Sequence, residues 1–399
     1  MSPTVLLTLG RLPKALDLAR GFARLGWRVV VAEPMARHLC GASRDVDRAI
    51  AVPAPVAGKA AYLAALAAVV RRERVSLVVP VSEETLHVAH LPPLLPHGVR
   101  VFTMPPEAVL ALHAKDGFVD FAERIGLDVP RSARLGDPAA RGIVADGPVV
   151  VKPIRSCAGR GLLRLTAGAA LPEPDPAAPA LVQRLVMGRE YSTCSLVRDG
   201  RVRATAIYRG TMFAGSVAVC FERVDHPAIE AWVTRFAAAT GWTGFLSFDL
   251  IEEASTGTVF GIECNPRTTS GLHFLEAADV ARAVVDDAAP PPRFVAAPAL
   301  QQFWSCLTET QLALFRGGPF GAHLRRLLTT KDVTWQGRDP WPLLSMPWTA
   351  WPILRAAAAR RVPFGEVATE DVGWFEGEVP SPPAACVPGL TIARLGGAN

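Results

Sequence analysis

Lysine is scarce in this sequence: only Lys14, Lys59, Lys115, Lys152 and Lys331 stand among 42 basic residues. Generic positive surface is therefore written in arginine, and each lysine becomes a position to inspect. No run of five or more Lys or Arg occurs and the formal net charge is +5 over 399 residues, so a nucleic-acid partner is not implied. No apolar run reaches the roughly 18 residues of a membrane-spanning helix. The longest uncharged stretch near the end, "PWPLLSMPWTAWPIL", is broken by four prolines. The opening "MSPTVLLTLGRLPK" lacks the basic start, long apolar segment and cleavage site of a signal peptide. The seven cysteines are scattered without CxxC or Cys/His ligand spacing, which argues against a zinc site and against a disulfide framework. The expectation is a cytoplasmic protein with reduced thiols and no transmembrane segment.

The length admits two or three domains, each able to bury a core. Residues 4–9 form an apolar run ended by Gly10. Leu16, Ala19, Phe22 and Ala23 then fall at helical spacing, and "WRVVVAE" returns as a strand. With a helix near 60–71 and strands at 76–81 and 99–102, this predicts a small parallel sheet wrapped by helices. After Pro130 the texture changes to hairpins: "PVVVK", "GLLRL", "PALVQRLV", "EYSTCSLV", "RVRATAIY" and "SVAVCFE", joined by turns such as "RDGR". A helix "PAIEAWVTRFAAATG", the hairpin "GFLSFDLIEEASTGTVFGIECN" and a helix from about 271 to 287 follow, then a Pro-rich linker. The last hundred residues hold six of the nine tryptophans, and the expectation is that they pack against the body of the protein.

The stretch "FGIECNPRTTSG" (260–271) carries unusual polarity for a strand. Simple alternation puts Phe260, Ile262 and Cys264 on a core face and Gly261, Glu263 and Asn265 on the other, with Pro266 keeping Asn265 extended. The preceding strand alternates likewise, with Ser247 and Asp249 opposite Leu246, Phe248 and Leu250. Pairing across the turn would bring Asp249 to Glu263 and Asn265. Three such oxygen donors suit Mg2+, with Arg267 near a phosphoryl oxygen. An exposed hairpin whose acids only meet water is the competing reading. "VVVKPIRSCAGRGLLRL" reads as strand, glycine-bearing turn, strand; its backbone N–H groups with Lys152 could cradle phosphates, although it is not a Walker A sequence.

Taken in order, Lys115 opening a helix, "VVVKP" with its glycine loop, "LVQRLVMGREYS", "FDLI" and "IECNPR" resemble the ATP-grasp superfamily, in its carboxylate–amine ligase branch of the carbamoyl-phosphate-synthase large-subunit type. The resemblance runs from the first strand to about residue 290. It implies a fold of mixed α/β and α+β class: a Rossmann-like domain (1–112), a small lid subdomain (113–188) and a large subdomain with the metal site (189–290), followed by an extension of unknown role (291–399). It implies ATP and Mg2+, for which Mn2+ can substitute. Lys115 and Lys152 correspond to the phosphate-binding lysines, and Ser156, Gly159 and Gly161 to the loop over the phosphates. Gln183, Arg184, Leu185 and Val186 correspond to the adenine hinge, and Glu190 to the ribose acid. Asp249, Glu263 and Asn265 correspond to the metal ligands, and Arg267, with Lys152, to the catalytic groups. Ser156, Cys157 and Ala158 stand where many members are richer in glycine.

The implied activity joins a small-molecule carboxylate, probed best among amino acids and related metabolites, to an amine through an acylphosphate, releasing ADP and phosphate. A homodimer is compatible with the resemblance. An ATP-dependent phosphotransferase and a non-catalytic ATP-binding protein are alternatives on the same fold. An NAD(P)-dependent oxidoreductase is the alternative of another class: Glu33 ends the second strand where an acid can hold a ribose, but the turn at Gly10 has no GxGxxG. In that domain Gly10 and Glu33 otherwise read as a tight turn and a surface acid. Glu83 and Glu84 read equally as crevice ligands or as acids in a helix's first turn.

Overall fold

The computed structural model describes residues 2–155, 161–360 and 364–375. Its first layer is a parallel sheet of β1 (Thr4–Leu7), β2 (Arg28–Glu33), β3 (Arg48–Ala51), β4 (Leu77–Val79) and β5 (Arg100–Val101), in the order β3-β2-β1-β4-β5. The central strands are continuous apolar runs because both faces are covered. Val5, Leu7, Val29 and Val31 meet the helix Pro13–Arg24, whereas Leu6, Val30 and Val78 meet the helix Lys59–Glu73. The first helix also packs on the helix Ala277–Val285, where Gly21 lies so close to the Ala277 carbonyl that a Cβ would overlap it. A short 3-10 turn, Ser270–Phe274, precedes that later helix, so the single helix expected over 271–287 is divided.

Two antiparallel sheets follow. The smaller comprises β6 (Ser132–Arg134), β7 (Val149–Pro153), β8 (Leu163–Leu165) and β9 (Ala180–Arg184), ordered β6-β9-β7-β8. The larger contains β10 (Gly188–Arg198), β11 (Arg201–Ala214), β12 (Val217–Arg223), β13 (Gly244–Glu253), β14 (Val259–Asn265), β15 (Ala299–Gln301) and β16 (Lys331–Asp332), ordered β14-β13-β10-β11-β12-β15-β16. It takes strands from both sides of residue 290, so the C-terminal part of the chain packs on the body through backbone pairing. Behind it the helix Pro227–Thr240 supplies Trp232 and Phe236, which meet Phe248 at ring-centroid distances of 5.0 and 4.8 Å, and Phe118 closes the same cluster.

Strand β14 departs from simple alternation. Asp249 pairs with Glu263, but Leu250 pairs with Gly261, a β-bulge that leaves Ile262 as the extra residue. Gly261 therefore faces the aromatic cluster, where a Cβ would stand 2.5 Å from the Trp232 ring. Cys264 remains core, but Ile262 lines the cleft described below and Phe260 lies under the Arg184 guanidinium at 4.9 Å. The expectation that Phe260 and Ile262 are plain core is thus corrected. A bulge re-aims side chains without changing the residue types that pattern reading relies on.

The C-terminal helices Phe303–Phe315, Phe320–Thr329, Trp341–Thr349 and Trp351–Arg360 leave Trp341, Trp348 and Trp351 exposed. They are anchored elsewhere by a fully buried ion pair. Arg20 donates Nε and Nη2 to Asp339 Oδ2 at 3.2 and 3.0 Å, and Asp339 also accepts from Ser43 Oγ at 2.7 Å and from the Arg44 N–H at 3.1 Å. No helix among the described residues is long and apolar enough to cross a membrane. Their five cysteines are buried free thiols. Asp339→Ala leaves the Arg20 guanidinium buried without its counter-charge, and we expect a loss of about 3–5 kcal/mol in denaturant unfolding. An unchanged midpoint would show that this contact does not anchor the tail.

Candidate active site

A cavity of about 210 Å3 opens between the two antiparallel sheets. Its walls are apolar where Val150, Leu162, Leu185, Ile251 and Ile262 meet it, and polar at one end, where Lys115, Lys152, Gln183 and Glu263 converge; Glu190 lies on its rim. An apolar slot with charge gathered at one end suits a molecule with a planar ring and an anionic tail.

Lys152 ends β7 on the small sheet and crosses the gap. Its Nζ donates to Gln183 Oε1 at 2.9 Å and to the Ile262 carbonyl on β14 at 2.8 Å. The Ile262 carbonyl sits in the bulge, so the irregularity in β14 supplies the acceptor. Burial, with Lys115 beside it and against the pull of Glu263, brings the Lys152 amine down to about 8. Lys115 opens the helix Lys115–Arg124, its N–H donating to the Ile154 carbonyl at 3.0 Å and its Nζ lying 3.4 Å from Glu263 Oε1. Lys152 thus reaches the large sheet from the small one, and Lys115 reaches it from a helix.

The segment leaving β9 forms another wall. Its Arg184 and Leu185 N–H groups donate to the Arg131 and Pro148 carbonyls at 2.9 Å each, and Arg184 Nη1 donates to Glu253 Oε1 at 2.7 Å. Gln183 is buried, turned inward to Lys152 and donating Nε2 to Ser132 Oγ at 2.9 Å. The four residues expected as a hinge all line the cavity, and the N–H groups of Arg184 and Leu185 are already used within the chain. Gly161 adopts φ +71°, the left-handed region that favours glycine, packed on Pro153. Ser156 and Gly159 lie outside the described residues.

The expected acids come together. Cross-strand pairing sets Asp249 opposite Glu263 and Ser247 opposite Asn265. Asp249 Oδ1 accepts from Ser192 Oγ at 2.6 Å and Oδ2 from Asn265 Nδ2 at 3.1 Å. Burial first, and the Glu263 charge second, push the Asp249 carboxyl up to about 6. Two carboxylates held side by side in a partly buried setting, with a carboxamide beside them, form a hard oxygen set that fits a divalent cation such as Mg2+. Among the described residues no group of three His, Cys, Asp or Glu could hold a metal, and the carboxamide beside the two acids is that of Asn265. Its Oδ1 accepts from Arg267 Nη2 at 3.0 Å, and a half-turn of the amide would present that oxygen to the acids instead.

Arg267 is locked from the first domain. Its Nη2 lies 2.5 Å from Glu83 Oε1, in the loop after β4. Burial pushes the Glu83 carboxyl up, but Arg267, His113 and Lys14 outweigh it and hold the group below the usual carboxylate range. Lys14 donates to the Thr268 carbonyl at 2.6 Å, and burial, then Arg267, bring its amine down to about 7. Glu84 plays a different part: fully buried, it accepts from the Val81 and Ser82 N–H groups and from Thr8 Oγ1, tying β4 to β1. Sequence reading singled out Lys14 only as a rare lysine and left Glu83 open. Ser192 and the wall residues Val150, Leu162 and Ile251 carried no signal, since nothing in strand alternation marks one half-buried serine or one apolar strand residue from another.

Glu33 is not the surface acid that the dinucleotide alternative left room for. It is fully buried and accepts from the Gly10 and Arg11 N–H groups at 2.8 and 3.0 Å, while Arg11 Nη2 reaches it at 2.5 Å. Above Gly10 stands His38, close enough that a Cβ would overlap its ring. The donors that a dinucleotide's pyrophosphate would need at this turn are already engaged by the chain itself.

The titration of Lys14 has a sign that can be checked. Below pH 7 both the folded and unfolded chains carry its proton. Between about 7 and the ordinary 10.5 only the unfolded chain does, so stability rises with pH across that window. We expect the rise between pH 7 and 9 to be smaller in Lys14→Met than in the parent, by at most about 1.4 kcal/mol per pH unit. Parallel curves would place the Lys14 amine at its ordinary value.

No protein-family model and no curated protein sequence matches the chain. Solved structures do. N5-carboxyaminoimidazole ribonucleotide synthetase in its ADP complex aligns over 79% of this chain and 86% of its own, at 14% identity and a TM-score of 0.59. An L-amino acid ligase from Bacillus licheniformis aligns over 74% of this chain and 77% of its own, at 16% identity and a TM-score of 0.54. Rhizobium etli pyruvate carboxylase aligns over 71% of this chain at 16% identity and a TM-score of 0.56, but this chain spans only 28% of that one. With two antiparallel sheets enclosing a lysine- and acid-lined cavity behind a parallel-sheet domain, the chain has the ATP-grasp fold.

Proposed function

We propose that the chain is an ATP-dependent ligase that activates a small-molecule carboxylate as its acylphosphate and passes the acyl group to an amine. The observation that carries this reading is that Lys152 of the small sheet and Lys115 of the helix Lys115–Arg124 meet Glu263 of the large sheet at the polar end of the cavity, with Asp249 paired opposite Glu263 and Asn265 bonded to Asp249. The ADP bound by the carboxyaminoimidazole ribonucleotide synthetase and the amino-acid substrates named for the Bacillus licheniformis enzyme support the same reading.

In this proposal adenine lies in the apolar slot against Leu185, Val186, Ile251 and Ile262, with the ribose toward Glu190. The triphosphate runs to Lys152 and Lys115. A divalent cation held by Asp249, Glu263 and Asn265 would supply charge neutralisation and orientation for the phosphates. A carboxylate oxygen of the substrate attacks the γ-phosphorus, the bond to the β-phosphate oxygen breaks, and ADP leaves. The amine nitrogen then attacks the acyl carbon, loses a proton, and displaces phosphate. Two anions must approach each other in the first step. Lys115, Lys152 and Arg267 lower that barrier by fixed positive charge in a partly dry site, where such charge acts more strongly than in water. Glu83 and Asn265 hold Nη2 of Arg267, while Nη1 donates to the neighbouring Thr268 carbonyl at 3.2 Å.

The test is ADP release scanned over a panel of amino acids and other carboxylates, with and without amines, and with product masses recorded. ADP formation that requires both a carboxylate and an amine, with a condensed product, supports the ligase. Carboxylate-dependent ADP with no condensed product in the presence of any amine points to a phosphotransferase. We expect Glu263→Gln to lower turnover by about 100-fold or more with the fold retained by circular dichroism, because the core contacts of Gly261 and Cys264 on β14 are untouched. Full activity in that variant would sink the assignment of the acids.

A further inference from the structure

At the C-terminal edge of the parallel sheet, where open α/β folds receive ligands, four basic or imidazole side chains from three segments converge. Arg11 follows β1, Lys59 begins the helix after β3, and His87 and His90 follow β4. What they meet is the chain's own tail, some 280 to 360 residues later. Arg11 Nη1 and Nη2 donate to the two carboxylate oxygens of Asp371 at 2.7 and 3.0 Å. Lys59 Nζ stands 4.4 Å from the centre of the Trp374 ring, and the His87 and His90 rings stack on that indole at 5.3 and 6.3 Å with interplanar angles of 22° and 15°. The Gly373 carbonyl lies 3.0 Å from His87 Nε2.

We propose that this crevice is a binding site for an anionic molecule bearing a planar aromatic ring, and that Asp371 and Trp374 occupy it as an internal stand-in for that ligand. The tail supplies the two features such a ligand would bring: a carboxylate forked onto a guanidinium and a flat π-system between an ammonium and two imidazoles. The seam is also imperfectly satisfied. His87 Nδ1 and Trp374 Nε1 are both buried with no hydrogen-bond partner among the described residues. A segment fixed there for stability alone would be expected to pair them, whereas a free ligand can be shaped to do so. The site is separate from the cavity between the sheets and does not depend on the ligase reading.

An occupied crevice lowers the apparent affinity of an outside ligand by the fraction of time it is open. The experiment is calorimetric titration of the full chain with indole-3-acetate, which carries the same carboxylate and ring. Asp371→Asn/Trp374→Ala is expected to bind the probe about tenfold or more tightly than the parent, and adding Lys59→Ala to it is expected to remove the gain. Acetate alone and indole alone are expected to bind neither form measurably. A folded double variant that binds indole-3-acetate no better than the parent overturns the proposal. Should the variant fail to fold, amide exchange of the unaltered chain decides: faster exchange across residues 368–375 in indole-3-acetate but not in acetate supports the site, and unchanged exchange overturns it.

Discussion

The reach of Lys152 from β7 to the carbonyl of Ile262 is the contact on which the arrangement of the site depends. It links the small sheet to the large one across a cavity that would otherwise separate them, and it does so with a charge. An ammonium buried to this degree is costly unless its donors are used. Gln183 and Ile262 use two of them, and Glu263 offsets the charge. The bulge that frees the Ile262 carbonyl also brings Ile262 itself to the cavity and sends Gly261 into the aromatic cluster. One extra residue in a strand thereby couples the core behind the sheet to the polar site in front of it.

The parallel-sheet domain contributes to the same site through carboxylates that differ in duty. Glu84 ties β4 to β1 and Glu33 ties the turn after β1 to β2; each accepts from backbone N–H groups, Glu84 also from the Thr8 hydroxyl and Glu33 also from the Arg11 guanidinium. Glu83, between them in environment though adjacent to Glu84 in sequence, turns outward to Arg267. Successive residues at a strand end point in different directions, so two adjacent glutamates serve packing and site separately. The loop that carries Glu83 also carries His87 and His90, which places the tail-filled crevice and the Arg267 contact on one short segment.

Much of the architecture was legible in the sequence because it rests on periodicity. The βαβ opening, the strands from 148 to 223 and the pairing of Asp249 with Glu263 follow from period-2 and period-3.6 patterns with Gly and Pro punctuation, whereas β8 and β9 do not form a hairpin and β9 and β10 lie in different sheets. The bulge at Ile262 was not legible, since an extra residue leaves no compositional mark. Neither was the burial of Glu33, two of whose N–H partners are backbone groups of a turn some 22 residues earlier. The division of 271–287 into a 3-10 turn and a helix reflects packing of Phe274 into the sheet core rather than local propensity.

By itself the sequence determined which residue types could carry chemistry and on which strands they would sit, because side-chain alternation and turn chemistry are local properties. The tertiary structure alone decided which of them meet. Lys152 on Ile262, Arg267 on Glu83 and Asp371 on Arg11 span 110, 184 and 360 positions. Contacts at such separations depend on how three sheets stack and where the tail returns, and no window of local sequence contains that geometry.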